Sequence, residues 1–229
     1  MQFSRNWLKE FVDVKISDEE LCDQLTMLGL EVDNYKDFNS KLTGKDSVIK
    51  LDLTPNRGDC FSILGIAREL AAANGVKLSY PKIKTIKETI ESPLNVKVSK
   101  EAPSYIGRFI TEIDLQKKTP PLIKERLRLS SVRLIDPIVD ITNYVLHEIG
   151  QPLHAFDLDK ITNIEVKNLP SKTKFKTLDG NEISLNEEDI MICSEDDPLC
   201  LGGIFGGLDS GVTSNTKNIF LESAIFNPI

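Results

Sequence analysis

Histidine is scarce in this sequence, and both histidines lie close together. The 229 residues contain two, His147 and His154, on either side of a Gly-Gln-Pro segment. His147 and the glutamate after it begin like the zinc motif H-E-x-x-H, but Gln151 stands where the second histidine is required. The intervening glycine and proline also interrupt a helix that would align the two imidazoles. No metal site is therefore expected.

Closely spaced cysteine pairs are missing as well. None of the four cysteines forms a C-x-x-C pair: they are Cys22, Cys60, Cys193 and Cys200. This spacing argues against a structural zinc site and against a disulfide framework. Buried and chemically inert thiols are expected instead.

Long apolar runs and targeting segments are also missing. No stretch approaches the roughly 18 consecutive apolar residues of a membrane helix. The first ten residues, MQFSRNWLKE, lack the apolar core of a secretory signal. We therefore expect a protein that does not span a membrane and that works in the cytoplasm.

The common loops for phosphate binding and nucleophilic catalysis do not occur. GGIFGG at 202–207 has neither the G-x-G-x-x-G pattern nor a GK[ST] ending, and no G-x-S-x-G is present. Its glycines either allow close backbone approach and turns, or leave a ligand pocket open. Thr142, Asn143 and His154 offer hydrogen-bonding groups rather than an activated nucleophile. The residues alone indicate a polar pocket without a defined reaction.

The net charge of −7 argues against a general nucleic-acid binder. The charge is unevenly distributed, because residues 81–135 carry 12 basic and 6 acidic side chains. Within this zone, KERLRLSSVR at 124–133 is either the solvated face of a helix or a surface that contacts phosphates.

Local patterns predict a small N-terminal unit. Ser17 begins a capping box of the form S-x-x-E, which starts a helix. Residues 38–47 are polar and contain glycine, so they predict a loop. VIKLDL at 48–53 alternates like a half-buried strand, and 61–75 is an amphipathic helix that ends at Asn-Gly.

A second, larger unit is predicted after a linker at about 80–93. Strands are expected at 93–99 and 105–114, and a helix is expected to end at Gly150. FKTLDGNEISL at 175–185 is typical of a hairpin. The predicted fold class is α+β, with a small N-terminal α/β domain followed by a larger mixed α+β domain.

Taken together, the segments resemble the beta subunit of bacterial phenylalanyl-tRNA synthetases. TPNR-x-D-C combined with GQPLHAFD is a specific signature, and the matching stretches follow the family order over nearly the whole chain. They include LTMLGLEVD, LDLTPNRGDCFSILGIARELAA, IVDITNYVLHEIGQPLHAFDLDK, GGIFGGLDSGV and FLESAIF.

The resemblance implies two domains and two missing parts. Residues 1–80 would form the N-terminal domain, from which the family's oligonucleotide-binding-fold insert is missing near 38–48. Residues 90–229 would form most of the editing domain, incomplete at its C-terminal end. His147 stands where the family often has an apolar residue, so it is expected to be a bystander.

The resemblance also implies a reaction, the hydrolysis of tyrosine that was wrongly attached to the phenylalanine tRNA. Glu222 would read the tyrosine hydroxyl as a hydrogen-bond acceptor, and Gly206 would keep the pocket open. His154, Thr142 and Asn143 would position the ester, its ribose or the attacking water. Whether His154 acts as a general base or only positions these groups stays open.

The implied partners are the synthetase alpha subunit and the phenylalanine tRNA, with two alpha and two beta chains in the full enzyme. Aminoacylation with ATP and magnesium belongs to the alpha subunit, so this chain is expected to bind no cofactor. The alternative function is a non-catalytic scaffold or tRNA-contacting part of the synthetase. A free-standing editing protein is a weaker third option.

Overall fold

The computed structural model describes residues 1–228, which divide into two units. The first comprises Met1–Ile86 with Lys118–Gln151. The second comprises Lys87–Lys117 with the part that begins at Pro152. Among the described residues, no helix has both the length and the apolar character needed to cross a bilayer.

The first unit packs helices around an antiparallel sheet with the strand order β1-β3-β2. Its strands are β1 (Gln2–Ser4), β2 (Glu31–Ser40) and β3 (Gly44–Asp52). Its helices are α1 (Arg5–Lys9), α2 (Asp18–Met27), α3 (Ile63–Asn74), α4 (Pro121–Leu129) and α5 (Pro137–Ile149).

Helix boundaries in this unit follow the predicted signals. Ser17 forms the full capping box with Glu20 at the start of α2, which satisfies backbone N–H groups that the helix leaves unpaired. Gly75 ends α3 in the left-handed conformation, with φ of 59°, which glycine adopts without steric cost. Fully buried apolar side chains form the core, among them Phe3, Trp7, Leu25, Ile49 and Leu70.

Residues 38–47, which were predicted to be a loop, are mostly strand. β2 and β3 form a hairpin whose register pairs Ser40 with Gly44. The Ser40 hydroxyl accepts from two backbone N–H groups of the turn, both at 2.9 Å. Asp46 is buried and accepts from the Ser4 hydroxyl at 2.6 Å. The loop prediction was wrong because these polar side chains find partners in the turn and on β1.

Helices α4 and α5 pack with the first unit, although the predicted division placed them in a domain at 90–229. Trp7 is fully buried and stacks on Tyr144 of α5, with ring centroids 4.9 Å apart. Arg126 of α4 lies over the Trp7 ring at 5.2 Å and forms an ion pair with Glu10. These contacts join residues more than a hundred positions apart, so local patterns did not reveal them.

The second unit is mostly β-structure. Its strands are β4 (Val96–Val98), β5 (Ser104–Ile110), β6 (Leu153–Asp157), β7 (Ile164–Asn168), β8 (Lys174–Lys176), β9 (Glu182–Ser184), β10 (Ile190–Ser194), β11 (Asp197–Leu201), β12 (Phe205–Gly206) and β13 (Ile219–Ile225).

Three sheets organise these strands. The orders are β12-β11-β10-β7-β4, β5-β13-β6 and β8-β9. One apolar cluster joins the first two sheets, because Val166 and Ile192 of the larger sheet share it with Phe156 and Phe220 of the smaller one. The β8-β9 hairpin confirms the prediction at 175–185. The mixture of helices and mainly antiparallel sheets confirms the α+β class, and β4 is the strand that pairs in parallel, with β7.

Candidate functional site

Glu222 lies at the centre of the three-stranded sheet in the second unit. It belongs to β13, the middle strand, and pairs with Gly107 on β5 and with His154 on β6. Residues directly opposite each other on neighbouring strands project from the same face of a sheet. Only 6% of Glu222 is exposed, so a carboxyl group is held inside a largely apolar layer.

The Glu222 carboxylate has a tyrosine as its hydrogen-bond partner. The Tyr105 hydroxyl donates to Oε2 of Glu222 at 2.7 Å. Burial raises the pKa of Glu222 to about 7, and the hydrogen bond from Tyr105 opposes this rise. Burial and the nearby Glu222 charge raise the pKa of Tyr105, so the phenol stays protonated and remains the donor.

Gly107, which pairs with Glu222 across β5 and β13, leaves room for the ring of Phe220. Gly107 stands between Tyr105 and Phe109 on β5, and its missing side chain is replaced by the ring of Phe220. A Cβ atom on Gly107 would lie 1.9 Å from the ring carbon Cζ of Phe220. Gly107 is therefore required for close packing and not for an unusual backbone angle.

His154 is a neutral, incompletely satisfied imidazole beside this cluster. Its ring packs edge-on against Phe156, with centroids 4.4 Å apart. Nε2 is buried, and it has no hydrogen-bond partner among the described residues. Burial lowers the pKa of His154, so the ring is neutral at pH 7. A buried unpaired nitrogen is costly and is suited to a hydroxyl or water that enters the site.

Gly206 lies against the His154 ring. A Cβ on this residue would be 3.0 Å from Cε1 of the imidazole, so any side chain there would crowd His154. Cys200 pairs with Gly206 across β11 and β12. Burial and the Glu222 charge raise the pKa of the Cys200 thiol, which keeps it protonated and makes it a poor nucleophile.

Thr142 and Asn143 occupy helix α5, in the first unit. Both are half-buried, and the Thr142 hydroxyl donates to the carbonyl oxygen of Val139 at 3.0 Å. The second unit therefore brings together three of the five predicted site residues: His154, Gly206 and Glu222. His147, predicted to be a bystander, is also on α5, and burial lowers its pKa.

Tyr105 is the site residue that the sequence reasoning missed. It lies 117 positions from Glu222, so no spacing rule connects the two. The available signal is the alternation of Tyr105, Gly107 and Phe109 on β5, which places all three on one face of the strand. That pattern identifies the face but not the partner.

Two cavities open elsewhere in the second unit. One of about 500 Å³ is lined by residues 113–116 and 214–217. The other, of about 430 Å³, is lined by side chains that include Lys160, Lys176 and Asp197. Neither of these two cavities is lined by Glu222 or His154.

One cluster in the first unit has the composition of a metal site. Asp59, Cys60 and Glu69 bring their ligand atoms within 4.8 Å of one another. Arg57 already pairs with both carboxylates, at 3.0 and 3.3 Å. Burial raises the pKa of the Cys60 thiol to about 12, so the thiol is protonated at neutral pH in the metal-free chain. The guanidinium accounts for this cluster as a structural ion-pair network.

Comparison with known proteins places the C-terminal part of the chain in a family, and that part includes α4 and α5 of the first unit. A family model described as the B3/4 domain matches residues 101–229. The chain belongs to the B3/4 domain family. The match includes Tyr105, His154, Gly206 and Glu222, so the candidate site lies within the B3/4 region.

The chain is similar over nearly its whole length to phenylalanine–tRNA ligase beta subunits. That of Idiomarina loihiensis is 41% identical over 230 residues, covering 99% of this chain and 29% of the relative. That of Legionella pneumophila (strain Lens) is 45% identical over 213 residues, covering 92% of this chain and 26% of the relative. The chain thus spans less than a third of the length of these curated relatives.

A solved structure is also similar. It is an N-terminal fragment of the phenylalanyl-tRNA synthetase beta subunit from Pyrococcus horikoshii, with a TM-score of 0.47 and 21% sequence identity. The match covers 99% of this chain and 68% of that one.

Proposed function

We propose that this chain is the editing portion of a phenylalanine–tRNA ligase beta chain and hydrolyses tyrosine mischarged onto the phenylalanine tRNA. The observation that carries the proposal is the buried Glu222 carboxylate, which already accepts a hydrogen bond from a tyrosine hydroxyl at 2.7 Å. The contact proposed for the substrate is thus one that the folded chain makes with its own Tyr105.

The chemistry of Glu222 suits discrimination between tyrosine and phenylalanine. Tyrosine differs from phenylalanine by one hydroxyl, and an apolar pocket rejects such an addition by only about a hundredfold. A pocket with a buried acceptor reverses the preference, because bound phenylalanine leaves the acceptor unpaired. A carboxylate in an apolar layer is such an acceptor.

His154 is proposed to handle water or the ester next to Gly206. Its buried Nε2 lacks a partner among the described residues, and its neutral ring is able to accept a proton or a hydrogen bond. Water adds to the ester carbonyl, the bond to the ribose oxygen breaks, and tyrosine and free tRNA are released. The kinetics of His154 variants distinguish a general base from a group that only positions the water or the ester.

The remaining assignments rest on the resemblance to the synthetase beta subunits. The alpha subunit and the phenylalanine tRNA are the proposed partners, in a complex of two alpha and two beta chains in the cytoplasm. ATP and magnesium would serve aminoacylation by the alpha subunit, and no step assigned to this chain uses them. Thr142 and Asn143 are proposed to position the ester or its ribose.

Deacylation of preformed tyrosyl-tRNA by the complete two-subunit enzyme tests the proposal. We expect Glu222→Ala to slow this hydrolysis by about a hundredfold, because a hydrogen bond to a charged acceptor is lost from the bound state. Glu187→Ala, which changes an exposed carboxylate in the same unit, is the matched control. Equal rates for Glu222→Ala and the parent enzyme would contradict the proposal.

The rival function is a non-catalytic scaffold or tRNA-contacting part of the synthetase. It predicts that Glu222→Ala changes tRNA affinity or subunit association while tyrosyl-tRNA hydrolysis is unchanged. Measuring tRNA binding beside deacylation in the same variants separates the two functions. Thr142→Ala and Asn143→Ala in the same assay test their proposed roles.

A further inference from the structure

We infer that Tyr105 is a positioning residue for the proposed editing reaction: it holds Oε2 of Glu222 so that the second carboxylate oxygen is presented to the hydroxyl of the substrate. The inference deepens the proposed function and rests on it. It adds a residue that acts through Glu222 and does not itself need to contact the reacting ester.

The strand register supplies the geometry. Tyr105 pairs with Ala224 on β13, and Gly107 pairs with Glu222. Tyr105 is therefore diagonal to Glu222 across the strand pair, a separation that aromatic side chains span. The 2.7 Å bond has the length expected for a hydroxyl that donates to a carboxylate.

The surroundings hold the Tyr105 ring in place. Tyr105 packs against the apolar cluster that contains Phe156, Cys200 and Phe220. A tyrosine has two side-chain torsions and a glutamate has three, so an anchored phenol reduces the freedom of the longer side chain. The phenol thus selects one orientation of the Glu222 carboxylate.

The carboxylate retains capacity for a second phenol. An ionised carboxylate has two oxygens and about four lone-pair positions, and Tyr105 contacts one oxygen. A bound tyrosine supplies a second hydroxyl for the other oxygen, whereas phenylalanine does not. Tyr105 therefore supports selection for tyrosine without being displaced by it.

The titratable groups around Glu222 are consistent with this role. Tyr105 approaches from β5, His154 is opposite on β6, and Cys200 contributes from β11. Burial favours the neutral form of each of these three groups. The Tyr105 hydrogen bond favours the ionised form of Glu222 and lowers its pKa against the effect of burial.

The test uses the complete two-subunit enzyme and measures kcat/KM for tyrosyl-tRNA and phenylalanyl-tRNA hydrolysis from pH 6 to pH 9. Tyr105→Phe removes the hydroxyl and keeps the ring. Tyr35→Phe, at a partly exposed strand tyrosine of the first unit, is the control. Each variant is compared with the parent enzyme at the same pH, so the intrinsic lability of the ester cancels.

We expect Tyr105→Phe to lower kcat/KM for tyrosyl-tRNA by about tenfold at pH 7, with phenylalanyl-tRNA hydrolysis unchanged. The midpoint of the pH dependence should move upward by about one pH unit, because the ionised carboxylate loses a donor. In a Glu222→Gln background, Tyr105→Phe should cause no further change. Titration of the Glu222 carboxyl by 13C NMR gives the same comparison without substrate.

Three outcomes would overturn the role of Tyr105. A lower rate with an unmoved pH midpoint would indicate a structural effect, and a faster rate would indicate that Tyr105 competes with the substrate. If Tyr105→Phe lowers kcat/KM as much in the Glu222→Gln background as in the parent enzyme, Tyr105 does not act through Glu222. If Glu222→Gln itself hydrolyses tyrosyl-tRNA like the parent, the proposed function fails instead.

Discussion

Each unit buries a tyrosine hydroxyl next to charged or ionisable groups, and the two clusters differ in how completely they are satisfied. In the first unit, the Tyr144 hydroxyl accepts from Arg126 at 2.7 Å and donates to Glu148 at 2.8 Å. Arg126 also pairs with Glu10 and lies over the Trp7 ring. The Arg126 guanidinium, the glutamate carboxylates and the Tyr144 phenol therefore supply one another with opposite charge and hydrogen-bond partners.

In the second unit, the Tyr105 hydroxyl donates to the Glu222 carboxylate. No ion pair to Glu222 is found among the described residues, and burial raises its pKa to about 7. Nearby, Nε2 of His154 is buried without a hydrogen-bond partner in the described part of the chain. In this cluster the Tyr105 hydrogen bond compensates the desolvation of Glu222 only in part.

This difference supports our proposal that the first cluster serves the fold and that the second serves a ligand. Satisfied buried networks hold elements together, whereas buried groups with perturbed pKa values and missing partners concentrate at functional sites. Glu222 and His154 are therefore expected to cost stability until a substrate supplies the missing contacts. Three variants test this contrast.

The largest effect is expected from breaking the satisfied cluster. Arg126→Met should lower the free energy of unfolding by about 4 kcal/mol, because a charged hydrogen bond to Tyr144 and a cation–π contact are lost together with a partly exposed ion pair. Arg128→Met, at an exposed position of the same helix, should change it by less than about 0.5 kcal/mol. Chemical denaturation under reducing conditions measures both, and equal effects would show that the network is not stabilising.

Replacing Glu222, in the cluster of the second unit, is expected to change the free energy of unfolding in the opposite direction. Folding raises the pKa of Glu222 from its ordinary 4.5 to about 7, so its contribution to stability falls as the pH rises through this window. Glu222→Gln removes the penalty and should raise the free energy of unfolding by about 3 kcal/mol at pH 8. Most of that gain should be gone at pH 5. A variant less stable than the parent at pH 8 would place Glu222 with the structural networks.

The smallest effect on the fold is expected from filling the space beside His154. Gly206→Ala puts a Cβ 3.0 Å from the imidazole, a distance that a small shift of the ring relieves. We expect a stability loss of less than about 1 kcal/mol, with about tenfold slower hydrolysis of tyrosyl-tRNA because the site is narrowed. Gly211→Ala, where no atom lies within 4 Å of the added Cβ, is the control and should retain full activity.

Local patterns predicted elements better than they predicted partners. The capping box at Ser17, the helix end at Gly75 and the hairpin at 175–185 are decided by neighbours in sequence, and each prediction was confirmed. The hairpin across 38–47 was missed because its polar side chains resemble loop residues until their cross-strand partners are known.

Long-range contacts account for the features of the fold and of the candidate site that local patterns did not predict. The packing of α4 and α5 on Trp7 depends on side chains more than a hundred residues away. Glu222 was predicted through the family resemblance, whereas Tyr105 needs the register of β5 against β13. Which hydroxyl meets which carboxylate is set by that register, and periodicity within one strand does not encode it.

The titration of the Glu222 carboxyl with and without bound amino acid tests the central claim most directly. With 13C-carboxyl glutamate, the resonance lost in Glu222→Gln identifies the group. We predict a midpoint at about 7 for the free chain, which saturating tyrosine moves to lower pH and phenylalanine leaves unchanged, because the tyrosine hydroxyl favours the ionised form. A midpoint at about 4.5, or equal responses to the two amino acids, would contradict Glu222 as the group that reads the tyrosine hydroxyl.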